Sequence, residues 1–465
     1  MDRGDGSLPT LPEARILAEF ASGLTIDALP SRIRRRTEEI LLDAIASALP
    51  GTTDPTTRPI LDMTKELFGP GPSSVIGGGT LSKAGATVMN AHLISSVSLC
   101  DVHYESWCHL TPEVVPPALV VGEQRNVTGA ELLLAVAAGC EITARIGIGV
   151  NYPALHEHGW NASGVVGVFG AATAAGMLLH LDALQLTHAL GVAGAQAAGS
   201  DAQRGTPTVR FHQPRAALSG LMGAELALRG FVAMDDILRH PAGGLYYTHS
   251  DGGLPGVAVA ELGTRWELER LWLTQWPLAM LVRNPVCALL DLAEAAEFSR
   301  DDIHRVRISV SPTTFELYGT MPYDSRARAK TSLRYLAAVV LRDRTCQAEQ
   351  FTPTQLGDPA TIDFASHRVE VVADDRLPER AVAVTITLSD GRELAHAREL
   401  PRGTAENPLT RGEIAEKFSR AAVGVLTDEQ AAAVLAFVYN LEEQTEVRPL
   451  IAALAANPER FQVGM

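Results

Sequence analysis

Asp101, His103, Glu105 and His109 crowd into one short stretch of a segment, NAHLISSVSLCDVHYESWCHLTPEVVPP (90–117), that is otherwise built of small and apolar residues. Asp, His and Glu are the side chains that move protons near neutral pH or hold a metal. An imidazole can act as base and then as acid in one cycle, and a neighbouring carboxylate fixes its tautomer. The types and spacing therefore predict that His103 and His109 carry proton transfers, with Asp101 orienting one of them. The competing reading is a loop whose polar residues cap a helix, just before a turn marked by Thr111 and Pro112.

A second polar stretch, GTPTVRFHQPRAALSGLMGAELALRGF (205–231), supplies positive charge. A guanidinium grips both oxygens of a carboxylate, so Arg210, with His212 and Arg215, is the expected binding site of a small carboxylate. Neither a metal nor an organic cofactor is expected. Gly77-Gly78-Gly79 lacks the G-K-[ST] ending of a phosphate loop and the spacing of a dinucleotide fingerprint, which leaves a turn. His156 and His158, two apart on a helix, point their imidazoles apart and have no third ligand at a metal-site spacing. His188 falls on an apolar helical face and reads as packed.

These side chains need a scaffold, and the chain of 465 residues, 46% hydrophobic and 20% charged, is long enough for two or three domains. Apolar residues recur at helical spacing over 11–22, 33–49, 84–99, 130–146, 163–179, 182–198, 215–229 and 234–238, with Gly and Pro between. After Trp272 the texture alternates: helices over 286–297 and 327–342, strands over 306–310, 368–372 and 381–388, and a hairpin turn at Ser389-Asp390-Gly391. Helix returns over 410–422 and 427–454. The expected fold is mostly α: a large helical domain (1–270), a smaller inserted α+β lid domain (271–404), and C-terminal helices (405–465) returning to the first.

A net charge of -15 with no basic block argues against nucleic acid or an anionic membrane as partner. The uncharged stretch 161–179 is rich in Gly and Ala, which suits a helix buried among close neighbours better than lipid. Five scattered cysteines without a C-x-x-C pair, and opening residues without an apolar core, point to the cytoplasm.

Four stretches in this order carry a family resemblance: the acidic and His-bearing loop at 99–109, GWNASGVVGVFGAATAAGMLL at 159–179, the T-x-T-x-x-x-H loop from Thr206 to His212, and AKTSLRY at 329–335. The chain resembles the MmgE/PrpD family of 2-methylcitrate dehydratases, cis-aconitate decarboxylases and iminodisuccinate epimerases, over nearly its whole length. The resemblance implies a helical domain plus a lid, a homodimer, and metal-free proton chemistry next to a carboxylate. It places the pocket where the Asp101 to His109 loop, the helix start at Asn161 and the Arg210 loop meet the lid.

Compared residue by residue, the chain departs from that pattern. The family's D-F-D-D-T with a later histidine becomes Leu99-Cys100-Asp101-Val102-His103 followed by His109. Its G-F-H-P becomes Gly159-Trp160-Asn161-Ala162, its T-K-P-x-H becomes Thr208-Val209-Arg210-Phe211-His212, and its K-P-Y-P becomes Thr274-Gln275-Trp276-Pro277. Tyr318 matches a substrate-facing tyrosine. One histidine and two lysines are thereby lost, so ordinary dehydration of 2-methylcitrate is expected to be weak. The expected activity is a lyase reaction, dehydration or decarboxylation, with His103, His109 and Asp101 catalytic and Asn161, Arg210, His212 and Tyr318 binding substrate. The alternatives are an epimerase or isomerase on the same scaffold, or a binding protein that has lost its chemistry.

Overall fold

The structure, a computed structural model, describes residues 11–455 together with Asn457 and Phe461. Two compact units emerge, one formed by the chain up to Trp272 and again from Thr410, the other by Leu273–Leu409. Helix dominates, as the periodicity predicts.

Seven helices of the first unit carry or brace the residues singled out above: α1 (Ser31–Ala48), α2 (Lys83–Ser96), α3 (Thr111–Arg125), α4 (Gly129–Gly149), α5 (Ala162–Leu178), α6 (Ala183–Gly194) and α7 (His212–Leu228). Several of their starts are set by short polar side chains that accept the first spare N–H groups: Ser82 for α2, the Thr128/Glu131 capping box for α4, Asn161 for α5, and the Asp182/Gln185 box for α6. Helix α5 is almost entirely buried and packs against α3, α4, α6 and α7. Glycine permits this: a Cβ on Gly170 would fall 1.8 Å from Thr143 Oγ1, and one on Gly167 would fall 2.4 Å from Glu113 Cγ. Helix α4 is long and apolar enough to cross a bilayer, yet most of it is buried within the protein. Its Glu141–Arg145 pair is committed to protein groups, with Arg145 donating to the carbonyls of Ala258, Ala260 and Arg265, and Glu141 accepting from Leu268 N–H.

Some expectations are corrected. Thr111 and Pro112 do not mark a turn but begin α3, because proline in the first turn gives up an N–H that has no partner there anyway. Residues 234–238 are irregular, the helix expected over 327–342 breaks after Ala329, and that over 427–454 breaks between Val438 and Arg448. Gly77, Gly78 and Gly79 all take positive φ in a turn between Ser73–Ser74 and Thr80–Leu81, as read from the sequence.

The second unit holds a four-stranded sheet of β1 (Ile303–Val310), β2 (Val369–Ala373), β3 (Val382–Leu388) and β4 (Glu393–Arg398), in the order β2-β1-β3-β4. The β1–β2 pair is parallel and the others antiparallel. Alternation puts Val382, Val384, Ile386 and Leu388 into a core shared with the helices Arg283–Ala295 and Leu333–Asp343. Tyr318 ends a short helix, Pro312–Tyr318, half-buried against that core. Thr274 is buried in the same unit, its hydroxyl bonded to the carbonyl of Trp276.

Candidate active site

Between α2 and α3 the chain runs through a tight loop in which two non-glycine residues, Ser98 (φ 64) and Trp107 (φ 50), take left-handed backbone conformations. Such conformations are uncommon outside glycine and concentrate where the surroundings over-determine them. The surroundings here are substantial. Lys417, buried on the helix Arg411–Ala422, donates to Asp43 Oδ1 (2.6 Å) and to the Leu99 carbonyl (2.8 Å), fixing the loop from beneath.

Asp101 is fully buried, and its carboxylate accepts from the N–H groups of Leu110 (2.8 Å) and Thr111 (3.2 Å) and from the Thr111 hydroxyl. It caps α3. Burial lifts its pKa to about 6 against the pull of these bonds. The expectation that this carboxylate orients an imidazole is therefore corrected: the backbone carbonyl of Asp101 does so, 2.5 Å from His109 Nδ1.

His109 is half-buried, with its N–H on Ser163 Oγ (2.8 Å) in the first turn of α5. Across its ring, Nε2 lies 3.3 Å from Arg210 NH1, and Arg210 NH2 donates to Ser98 Oγ at 2.8 Å. Since a guanidinium only donates, Nε2 is the acceptor and Nδ1 carries the proton toward the Asp101 carbonyl. Cys100 Sγ stands 3.5 Å from Nδ1, but burial pushes its thiol up to about 12, so it stays protonated. Burial likewise depresses Arg210, whose guanidinium meets no carboxylate among the described residues.

The structure does not bring His103 to His109. The His103 ring is fully buried in the short Val102–His103 strand paired with Leu271–Trp272. Its Nδ1 meets Ser106 Oγ (2.8 Å), and its Nε2 is at ion-pair distance from Glu267 (3.4 Å) and Glu105 (3.5 Å). Glu267, although buried, is held below its usual pKa by His103, Arg265 and Arg270. The geometry thus gives the two imidazoles different surroundings, Ser106 and Glu267 at His103 and the Asp101 carbonyl and Arg210 at His109.

Asn161 caps α5, its Oδ1 accepting from Gly164 N–H at 3.1 Å. His212 starts α7 with Nε2 on the Ser200 carbonyl (3.0 Å), and burial holds its pKa down. Arg215 gives its guanidinium to three carbonyls, those of Gln196, Gly164 and Ala198, and so is not the carboxylate ligand expected of it. His156 and His158 face different aspartates, Asp201 and Asp251.

Sequence reasoning missed Ser98, Lys417 and Glu113. Glu113, in the first turn of α3, is fully buried with neither carboxyl oxygen hydrogen-bonded. Burial, and after it the charge of Asp101, hold its pKa well above 4.5. Its place in Thr-Pro-Glu reads as an ordinary acidic first turn, and nothing in the sequence reports that Gly167 packs upon it.

Comparison with known proteins gives two family models, the MmgE/PrpD N-terminal domain over residues 15–255 and the MmgE/PrpD C-terminal domain over residues 276–443. A cis-aconitate decarboxylase of Aspergillus terreus is 29% identical over 467 residues, covering 94% of this chain and 95% of that protein. A cis-aconitate decarboxylase-like protein of Aspergillus oryzae is 26% identical, covering 96% and 98%. The human cis-aconitate decarboxylase is 24% identical, covering 93% and 92%.

Proposed function

Because this chain belongs to the MmgE/PrpD family, we propose that it is a cofactor-independent lyase that breaks a bond next to a carboxylate of a small acid, by decarboxylation. The observation that carries the reading is the triplet Asp101 carbonyl, His109 and Arg210: a tautomer-fixed imidazole touching a guanidinium that meets no anion among the described residues. A substrate carboxylate takes the place of Ser98 and His109 on Arg210, which turns His109 Nε2 toward the adjacent carbon. When the scissile C–C bond breaks, its electron pair spreads onto the retained, conjugated carboxylate, whose charge Arg210 holds. His109, released from Arg210 and protonated at Nε2 by water, then delivers that proton to carbon and returns to its resting tautomer, while the other carboxylate leaves as CO2.

The names of the relatives favour decarboxylation over dehydration. Epimerisation calls for a second proton carrier on the opposite face, and His103, which the sequence offers for it, is committed to Ser106 and Glu267. His103 is then a positioning residue for the loop.

The test is turnover in D2O of a panel of unsaturated and β-hydroxy acids that includes cis-aconitate, followed by proton NMR and CO2 release. One deuterium at one carbon of the product is expected. His109→Gln should lower turnover by about 10² to 10⁴. Turnover that survives in His109→Gln refutes the assignment.

A further inference from the structure

We infer that Trp107 and Tyr152 are positioning residues, whose stacked rings hold the tight loop on the course that sets His109 against Arg210. The inference rests on the reading of His109 as proton carrier and of Arg210 as the group that holds a carboxylate. The contact between these two joins segments 101 residues apart in the chain. A reacting group has to be held to about 0.5 Å, and a displacement of about 1 Å costs ~10² in rate. Groups outside the pair must supply that precision.

The loop bends most sharply two residues before His109. Trp107 there takes φ 50, which a bulky side chain adopts only when its surroundings enforce it. Here they do. The His103 N–H donates to the Cys108 carbonyl (2.8 Å) and closes the bend. Gly147, near the end of α4, lets the loop sit so close that a Cβ on this glycine would fall 2.5 Å from Ser106 Cβ. The Trp107 ring lies on that of Tyr152, with centroids 5.0 Å apart and planes 4° from parallel. Tyr152 opens the short helix Tyr152–Glu157 directly after α4, so the indole rests on a base set by that helix. On the far side of the bend Tyr104 stacks on buried Trp272 (5.1 Å, 8°). Tyr152 also reaches the second segment: its side chain is hydrogen-bonded to Arg204, which pairs with Asp201 (2.8 Å) and opens the run leading to Arg210. One ring therefore braces the bend before His109 and is tied to the segment that carries Arg210. Rings with two rotatable bonds each give this hold at little cost in conformational entropy.

The test is carbethoxylation of His109 by diethyl pyrocarbonate in the full chain, followed peptide by peptide with mass spectrometry. The reagent takes the unprotonated ring nitrogen, which in the resting protein is Nε2 beside Arg210. Trp107→Gly keeps the left-handed backbone without penalty and removes the ring, and Tyr152→Leu removes the stack from the other side. Each is expected to speed modification of His109 by about tenfold or more, whereas Trp107→Phe, which keeps a ring for Tyr152, should stay within about threefold of wild type. His92, buried in α2, remains unmodified in a folded chain, and if one variant fails this check the other is held to the same criterion. With an acid that turns over, the same two variants should lower kcat by ~10² and move KM by less than about threefold, and Trp107→Phe should restore kcat. Modification of His109 that stays within about threefold of wild type in both variants overturns the inference, as does faster modification with kcat unchanged, or a Trp107→Phe protein as impaired as Trp107→Gly. No substrate enters the modification series. Turnover that survives His109→Gln would therefore refute the proposed chemistry, while the modification series still decides whether the stack sets the His109 ring.

Discussion

Replacing Glu113 with glutamine should make the stability of the first unit less sensitive to pH, and the slope can be worked out in advance. The side chain is fully buried, its oxygens lack hydrogen bonds, and burial and Asp101 hold its pKa well above 4.5. Between 4.5 and that raised value the folded chain keeps a proton which the unfolded chain releases. Wild-type stability therefore falls as pH rises, by ~1.4 kcal/mol per pH unit from this group. Glutamine has no proton to lose. The difference between the two proteins should move in favour of Glu113→Gln by up to ~1.4 kcal/mol per pH unit as pH rises above 4.5. Below 4.5 the difference levels off at a constant, of order 1–3 kcal/mol against glutamine, for an amide without partners. Urea denaturation followed by far-UV circular dichroism at pH 4, 5, 6 and 7 measures the series. A difference independent of pH would falsify the claim that Glu113 is folded in its protonated form.

Two further substitutions probe the loop. His103→Gln removes the imidazole facing buried Glu267 and should cost ~1–3 kcal/mol of stability while leaving turnover of the folded protein within about tenfold; a loss of ~10² or more at a temperature where circular dichroism is native would return His103 to the chemistry. Lys417→Met leaves Asp43 buried without its ammonium and should cost ~3–5 kcal/mol, with part of that recovered in the double variant with Asp43→Asn. A urea midpoint unmoved by Lys417→Met would show that the pair does not hold the loop.

Much of the architecture was legible because it follows local rules. Asn161 and Asp182 announce helix starts by side-chain chemistry, and Val382 to Leu388 announces a half-buried strand by alternation. The hairpin at Gly391 follows from a residue that accepts φ 88. The parallel pairing of β1 with β2 was not legible, since it joins strands separated by several helices. In the candidate site, the sequence located His109 and Arg210 but could not say which oxygen of Asp101 meets the imidazole. That depends on Asp101 being drawn to the first N–H groups of α3, a helix hidden by Pro112, Pro116 and Pro117. The support of Leu99 by Lys417 joins residues far apart in the chain, and no spacing rule reaches that far.

Arg215 carries a consequence of a mechanical kind. One guanidinium rivets the first turn of α5, the exit of α6 and the first turn of α7 together through the carbonyls of Gly164, Gln196 and Ala198. None of the three can shift alone without stranding a buried donor or acceptor. Movement to admit a ligand is left to segments outside this rivet, such as the exposed run 204–208. Over evolutionary time the same division should hold: substitutions at 204–208 can retune what is bound without a repacking of the helices, whereas loss of Arg215 would loosen all three at once.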